Sequence, residues 1–316
     1  MQRFRWIVIF FGFIIIMGLS YNSKYNPFVN NNLDDLSFVD VSKVENVLYK
    51  EIEEKSELYN EDPQDAYIDK VWKKTPGRNG LKINLEKSYE QMKEKGEFKE
   101  SLLVYDQISP NISLEELPPS PIFRGHPEKN MVAFLINVSW GSEYIPDILE
   151  VLKENNVKAT FFIEGKWAKE NAEYVKMIAE QDHIIGNHAY NHPDMARLSN
   201  QAILDQINKT NDVIKAITGK RPKWFAPPSG SFSEHVVDTA DNLEMETIMW
   251  TVDTIDWKNP DVSVMINRVM DKLHPGATIL MHPTSSVSKG LPQLIEEIEA
   301  KDYKIGTIEK LLSEER

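Results

Sequence analysis

The sequence predicts an α/β fold. Its C-terminal part reads as a (β/α) barrel of about seven parallel strands, preceded by a small α/β or α+β module. Three observations predict this. From Met131 onward, short apolar or β-branched runs alternate with amphipathic stretches of helical period. Strands separated by helices need crossover connections and therefore run parallel. No glycine-rich phosphate loop follows the first of these strands, which disfavours an open dinucleotide-binding sheet and favours the barrel.

Taken in order, the chain opens with Arg3 and Arg5 ahead of an uninterrupted apolar run from Trp6 to Leu19. Positive charge before an apolar segment keeps the N-terminus inside and sends the downstream chain across the membrane. Residues 1–21 are expected to be a signal anchor, since no small-x-small cleavage site comes after them. A cleaved signal peptide and a buried core helix are the alternatives. Either leading reading places residues 30–316 outside the cytoplasm, anchored to the membrane in the first case.

Residues 22–61 read as an acidic linker and helix. Ser42-Lys-Val-Glu45 has the capping-box pattern, and Val44, Val47, Leu48 and Ile52 form a helical stripe. Residues 62–108 are the small module. A helix is expected from Asp62-Pro63, carrying Tyr67, Ile68, Val71 and Trp72, then a strand over 81–85, a helix from Glu86 to Lys95 closed by Gly96, and a strand over 102–105. Pro110, Pro118, Pro119, Pro121 and Pro127 mark residues 109–129 as a semi-rigid linker.

The barrel domain is expected over 130–316. Its strands are predicted at 131–138, 159–163, 183–186, 224–225, 245–250, 278–281 and 303–305. Helical stripes lie between them: Ile145, Ile148, Leu149 and Leu152; Ala168, Ala172, Val175 and Ile178; Ile203, Ile207 and Ile214, between Ser199 and Gly219; Val262, Ile266, Val269 and Leu273; and Leu291, Leu294, Ile295 and Ile298.

Composition narrows the function. The 316 residues carry a net charge of −13, which argues against nucleic acid as a charge-driven partner. The chain has no cysteine, so disulfides, thiolate metal sites and cysteine nucleophiles are excluded.

Loops after the C-terminal ends of barrel strands share one face, where sites are built. Five unusual clusters fall there: Asn137-Val-Ser139-Trp140-Gly141, His188-Ala-Tyr-Asn-His192-Pro193, Phe225-Ala226-Pro227-Pro228-Ser229-Gly230, Asp253-Thr-Ile-Asp256-Trp257 and Leu280-Met281-His282-Pro283. His188 and His192 have the four-residue helical spacing that lets two imidazoles grip one metal ion, a pattern that chance surface histidines also produce. Asp253 and His282 are candidates for a carboxylate–imidazole pair that donates a proton, with an ordinary cap and a loop histidine as the alternative. Pro227, Trp257 and Leu280 are candidate pocket wall, or plain packing.

In this order and spacing the clusters resemble the five motifs of the polysaccharide deacetylase family, the NodB-homology domain of carbohydrate esterase family 4, over about residues 125–312. The resemblance implies a distorted (β/α) barrel and removal of acetyl groups from N-acetylated glycans such as peptidoglycan. It also implies Zn²⁺ or another divalent metal held by His188 and His192, with His282 as the acid, oriented by Asp253. The family's first motif is Thr-Phe-Asp-Asp-Gly, and its base Asp and metal-ligand Asp fall on Ser139 and Trp140. The guanidinium that holds the base falls on Ala226. A buried arginine without its carboxylate is an uncompensated charge, so loss of one removes the reason for the other. An indole offers a metal no lone pair. The expectation is a cell-surface pseudoenzyme with weak or absent metal, binding an N-acetylated cell-wall glycan or an envelope protein.

Two other readings stay open. One is an active deacetylase with a two-histidine site, drawing a carboxylate from elsewhere, Glu143 and Asp194 being nearest in sequence. The other is a structural envelope or sporulation factor. A serine hydrolase built on Ser139, His282 and Asp253 is weak, because the first glycine of a nucleophile elbow is missing.

Overall fold

The computed structural model describes residues 41–316, with side chains from residue 47. The predicted membrane segment, 1–21, lies outside the described residues. Among them, no helix is long and apolar enough to cross a membrane. The chain divides into two compact units, one of residues up to 57 with 84–104, the other of residues 58–83 with 105–316.

The first unit holds α1 (Val41–Ser56) and α2 (Leu85–Met92). The predicted stripe buries Leu48 and Ile52, whereas Val47 is exposed. Tyr49 meets Tyr89 edge to face at 5.8 Å, and Lys55 Nζ sits 4.1 Å over the Phe98 ring. Asn84 Oδ1 accepts from Lys87 N and starts α2.

The second unit opens with two antiparallel pairs. β1 (Tyr67–Asp69) pairs with β2 (Lys73–Thr75), and β3 (Gly80–Ile83) with β4 (Tyr105–Ile108). Where a helix is expected over Tyr67–Trp72, a hairpin stands instead. Asp69 Oδ1 accepts from both Val71 N and Trp72 N at 2.7 Å, and Lys73 is left-handed at φ 60°. The aspartate turns the chain where a helix would have continued. The strand expected over 102–105 begins instead at Tyr105.

Residues 109–129, expected as a linker, are packed. Leu114, Ile122 and His126 are buried. Ile122 bridges Lys73 on one side and Ile248 on the other. Prolines remove donors but hold the backbone extended, which suits a segment laid along a sheet edge. Beside it the buried Lys74 ammonium pairs with Glu246 at 2.5 Å.

The main sheet is built from β5 (Met131–Val138), β6 (Thr160–Ile163), β7 (Ile184–Asn187), β8 (Trp224–Phe225), β9 (Glu246–Thr247), β10 (Val252–Asp253), β11 (Thr278–Met281) and β12 (Lys304–Gly306). All its pairings are parallel, in the order β10-β11-β5-β6-β7-β8-β9, with β12 against the start of β5. β9 and β10 are the two ends of that path, yet only residues 248–251 separate them. Extended chain covers about 3.5 Å per residue, so the ends must lie close and the seven-strand path curls into a half-barrel.

Helices α3 (Ile145–Glu154), α4 (Gly165–Glu170), α5 (Ala172–Glu180), α6 (Asn200–Thr218), α7 (Glu234–Asp241), α8 (Val262–Met270), α9 (Ser285–Glu299) and α10 (Ile308–Leu312) connect the strands or follow them. The stripe expected as one helix over 168–178 breaks at Asn171 into α4 and α5. The sheet's outer face and the helices share one core, which includes Phe134, Ile136, Phe161, Ile163, Ile279 and Met281. The inner face is a second core, with Ala133, Leu135, Phe162, Ala226 and Ile248.

Candidate functional site

Strand alternation decides what reaches the mouth. Ala133 and Leu135 face inward on β5, so Asn137 and Ser139 continue that face; Phe162 on β6 is followed by Glu164. Ile279 and Met281 lie in the outer core, which turns Thr278, Leu280 and His282 inward. The same rule brings His188 and Ala226 to the inner face.

His188 and His192 come together, their ring centroids 5.2 Å apart at 70°. The helical spacing read from the sequence is not a helix. The loop after β7 is folded by left-handed Ala189 and His192, with Asn187 Oδ1 accepting from Ala189 N and Gln206 Oε1 from Tyr190 N. Pro193 forbids helix at the residue before it. His188 Nδ1 lies 2.7 Å from Ala226 O. A carbonyl only accepts, so Nδ1 carries the proton and Nε2 keeps the lone pair. Burial, with His192 and His282 nearby, pushes His188 down to about 3; His192 is lowered too, mainly by burial.

His282 pairs with a carboxylate, but not with the expected one. Its Nδ1 is 2.9 Å from Asp256 Oδ1, and its backbone N donates to Asp256 Oδ2 at 2.6 Å. Thr284 Oγ1 adds a longer contact of 3.5 Å. Asp253 instead accepts from Ile255 N at 2.8 Å and turns its own loop. That turn carries left-handed Ile255, which delivers the fully buried Asp256 to His282. Two carboxylates three apart before Trp257 were the available signal, and spacing alone did not choose between them.

Trp140 lies parallel to His282, with centroids 6.0 Å apart at 9°, and stays 45% exposed. Gly141 holds it there. Its φ is +79°, and a Cβ would stand 2.1 Å from Pro283 O, so the first and fifth clusters meet only through glycine. Ala226 is buried, its N donating to Asn187 O. Pro227 and Leu280 are buried; Trp257 is half exposed, with Lys258 Nζ 4.8 Å above its ring.

One group escaped the sequence reading besides Asp256. Glu164 is buried beside Ser139, and burial raises its carboxyl. The signal was its place two residues after Phe162. Asn137 Oδ1 and Ser139 Oγ are buried without a hydrogen-bond partner. The carboxylates considered as substitutes stand elsewhere. Glu143 is exposed, and Asp194 is engaged by Arg197 and Ser231. Among the described residues, no three His, Asp or Glu side chains gather as a metal site would require. The residues present therefore offer two neutral imidazoles and fall short of a three-ligand zinc site. A cavity of about 760 Å³, lined by Arg221, Trp224, Glu246 and Glu309, opens where β8 and β9 begin and contains none of the predicted site residues.

Comparison with known proteins bears on this arrangement. The family model for polysaccharide deacetylase matches residues 124–248. The chain is 48% identical over 306 residues to the Bacillus subtilis protein YlxY, covering 96% of each. It is 35% identical to a peptidoglycan-N-acetylglucosamine deacetylase of Bacillus cereus, over 54% of this chain and 66% of that enzyme. The crystal structure of BA3943, a CE4 family pseudoenzyme from Bacillus anthracis, superposes with a TM-score of 0.82 at 52% identity, covering 85% of this chain and 96% of that one. A BA3943 mutant is described as having restored enzymatic activity. With the curled parallel sheet, the paired histidines and the Asp256–His282 couple at one mouth, this chain belongs to the polysaccharide deacetylase family, carbohydrate esterase family 4.

Proposed function

We propose that this chain is a catalytically impaired deacetylase-fold protein that sits outside the cytoplasm, held at the membrane by residues 1–21, and binds N-acetylated cell-wall glycan without turning it over. One observation carries the reading. The Asp256–His282 couple is complete, while the family's motif pattern, laid on this sequence, puts its base, metal carboxylate and guanidinium at Ser139, Trp140 and Ala226. His282 can present Nε2 to a leaving group, because Nδ1 is committed to Asp256. Ser139, at the position the family pattern gives to the base, carries no carboxylate of its own, and the Trp140 indole, stacked on His282, offers a metal no lone pair. The status of BA3943 as a pseudoenzyme supports this. The exposed faces of Trp140 and Trp257 supply aromatic surface for a sugar ring at the same mouth.

The second reading, an active deacetylase, draws its support from Glu164, a carboxylate beside position 139. Acetate release and calorimetric binding on an N-acetylglucosamine oligomer separate the two. Binding without release, and no tightly held metal after dialysis, is the expected result. Rapid release overturns the proposal. An absence of binding overturns the glycan as ligand and favours an envelope protein as partner.

A further inference from the structure

Three polar side chains share the inner face at neighbouring strand ends: Asn137 and Ser139 at the end of β5, and Glu164 at the end of β6. Register fixes them there. Val138 pairs with Ile163, and Glu164 N donates to Val138 O at 2.9 Å. Asn137 is 4% exposed and Glu164 9%. The Glu164 carboxyl stands near enough to Ser139 for the hydroxyl to favour its charge, though without full hydrogen-bond geometry, and the buried Ser139 Oγ has no other partner.

We propose that Glu164 is an electrostatic lock on position 139: a carboxylate supplied by β6 that makes the place of the family's base tolerant of a neutral side chain only. An aspartate at 139 would set two carboxylates side by side in a buried site. Like charges at that distance cannot both ionise freely, and one proton is shared between them. Little relieves the pair. The charged groups acting on Glu164 are Lys166 and Glu170, of opposite sign, both on α4. His188 and His192, on the loop after the neighbouring strand β7, are pushed toward their neutral forms by burial, and Ala226 brings no cation. Position 164, outside the five motifs, thus joins 226 in deciding which side chain position 139 accepts. This inference concerns position 139 and does not rest on glycan binding.

The test uses the full chain in four forms: Ser139→Asp and Ser139→Asn, each with Glu164 intact and with Glu164→Gln. Asparagine matches aspartate in size, so the Asp–Asn difference isolates charge. Unfolding by urea is followed at pH 5 and pH 8. With Glu164 intact, the Asp form should be the weaker, and the gap should widen with pH by about tenfold in the unfolding constant for each unit by which the pair's pKa is raised. With Glu164→Gln the widening should disappear. Failure of Ser139→Asp to fold, rescued by Glu164→Gln, supports the lock equally. A gap that is the same in both backgrounds overturns it. So does loss of folding in both Ser139→Asn chains, since size and not charge would then exclude the carboxylate.

Discussion

The two sides of the mouth differ in how fully their polar groups are satisfied. On the β10–β11 side, Asp256 is fully buried and holds His282 through both its ring and its backbone, with Thr284 close by. On the β5–β6 side, Asn137 Oδ1 and Ser139 Oγ are buried without partners, and the buried Glu164 carboxyl lies near Ser139. Buried polar groups are normally paired, and an orphan marks either function or the loss of it. The first side is a closed carboxylate–imidazole couple. Under the function proposed above, the second side is what a lost carboxylate–guanidinium pair would leave.

The largest expected effect comes from rebuilding the second side. The triple change Ser139→Asp, Trp140→Asp, Ala226→Arg should raise acetate release at least about 10²-fold above any of the three single changes, because groups that act as one unit do not contribute independently. Adding Glu164→Gln should move the acid limb of the pH–rate curve to lower pH. A folded but silent triple variant would show that access to the cleft is lost as well.

Breaking the first side should cost stability. Asp256→Ala removes the acceptor for two backbone and ring donors in a buried place, and should cost on the order of 3 kcal/mol in chemical unfolding. Gly141→Ala attacks the seam between the two sides. A Cβ there meets Pro283 O at a backbone angle few side chains adopt, so about 1–3 kcal/mol should be lost and the emission of Trp140, stacked on His282, should change. Unaltered Trp140 fluorescence would show that Gly141 does not position the indole.

A subtler contrast lies in pH. His188 is held neutral, with a folded value of about 3 against an ordinary value of 6.5. Between those values the unfolded chain binds a proton that the folded one refuses, so the His188 contribution to stability is full above pH 6.5 and falls as pH drops toward 3. In chelator-treated protein, His188→Gln should flatten that decline by up to about 1.4 kcal/mol per pH unit. An unchanged slope would mean the ring is already protonated in the fold. Smallest of all should be Asp253→Ala, at about 1 kcal/mol, because only a turn bond to Ile255 is lost. A cost equal to that of Asp256→Ala would restore Asp253 to the site.

The sequence by itself determined the alternation of strands and helices from Met131 onward, the strands Met131–Val138, Trp224–Phe225 and Thr278–Met281, and α6 between Ser199 and Gly219. It also marked all five loops at the strand ends, though within the fourth it picked Asp253 and not Asp256. These are local properties. Period, caps and turn residues act within a few positions along the chain, so they are written where they operate. Tertiary structure alone decided the rest. A hairpin replaced the helix expected at Tyr67–Trp72, since Asp69 turns the chain and the pairing partners of the strands lie outside that window. Asp256 was chosen over Asp253 because a left-handed residue between them aims one carboxylate at His282 and folds the other onto its own loop. Glu164 came to stand beside Ser139 only through the parallel register of β5 and β6. Twenty-five positions separate those two residues in the chain, and no periodicity reports on which strands become neighbours.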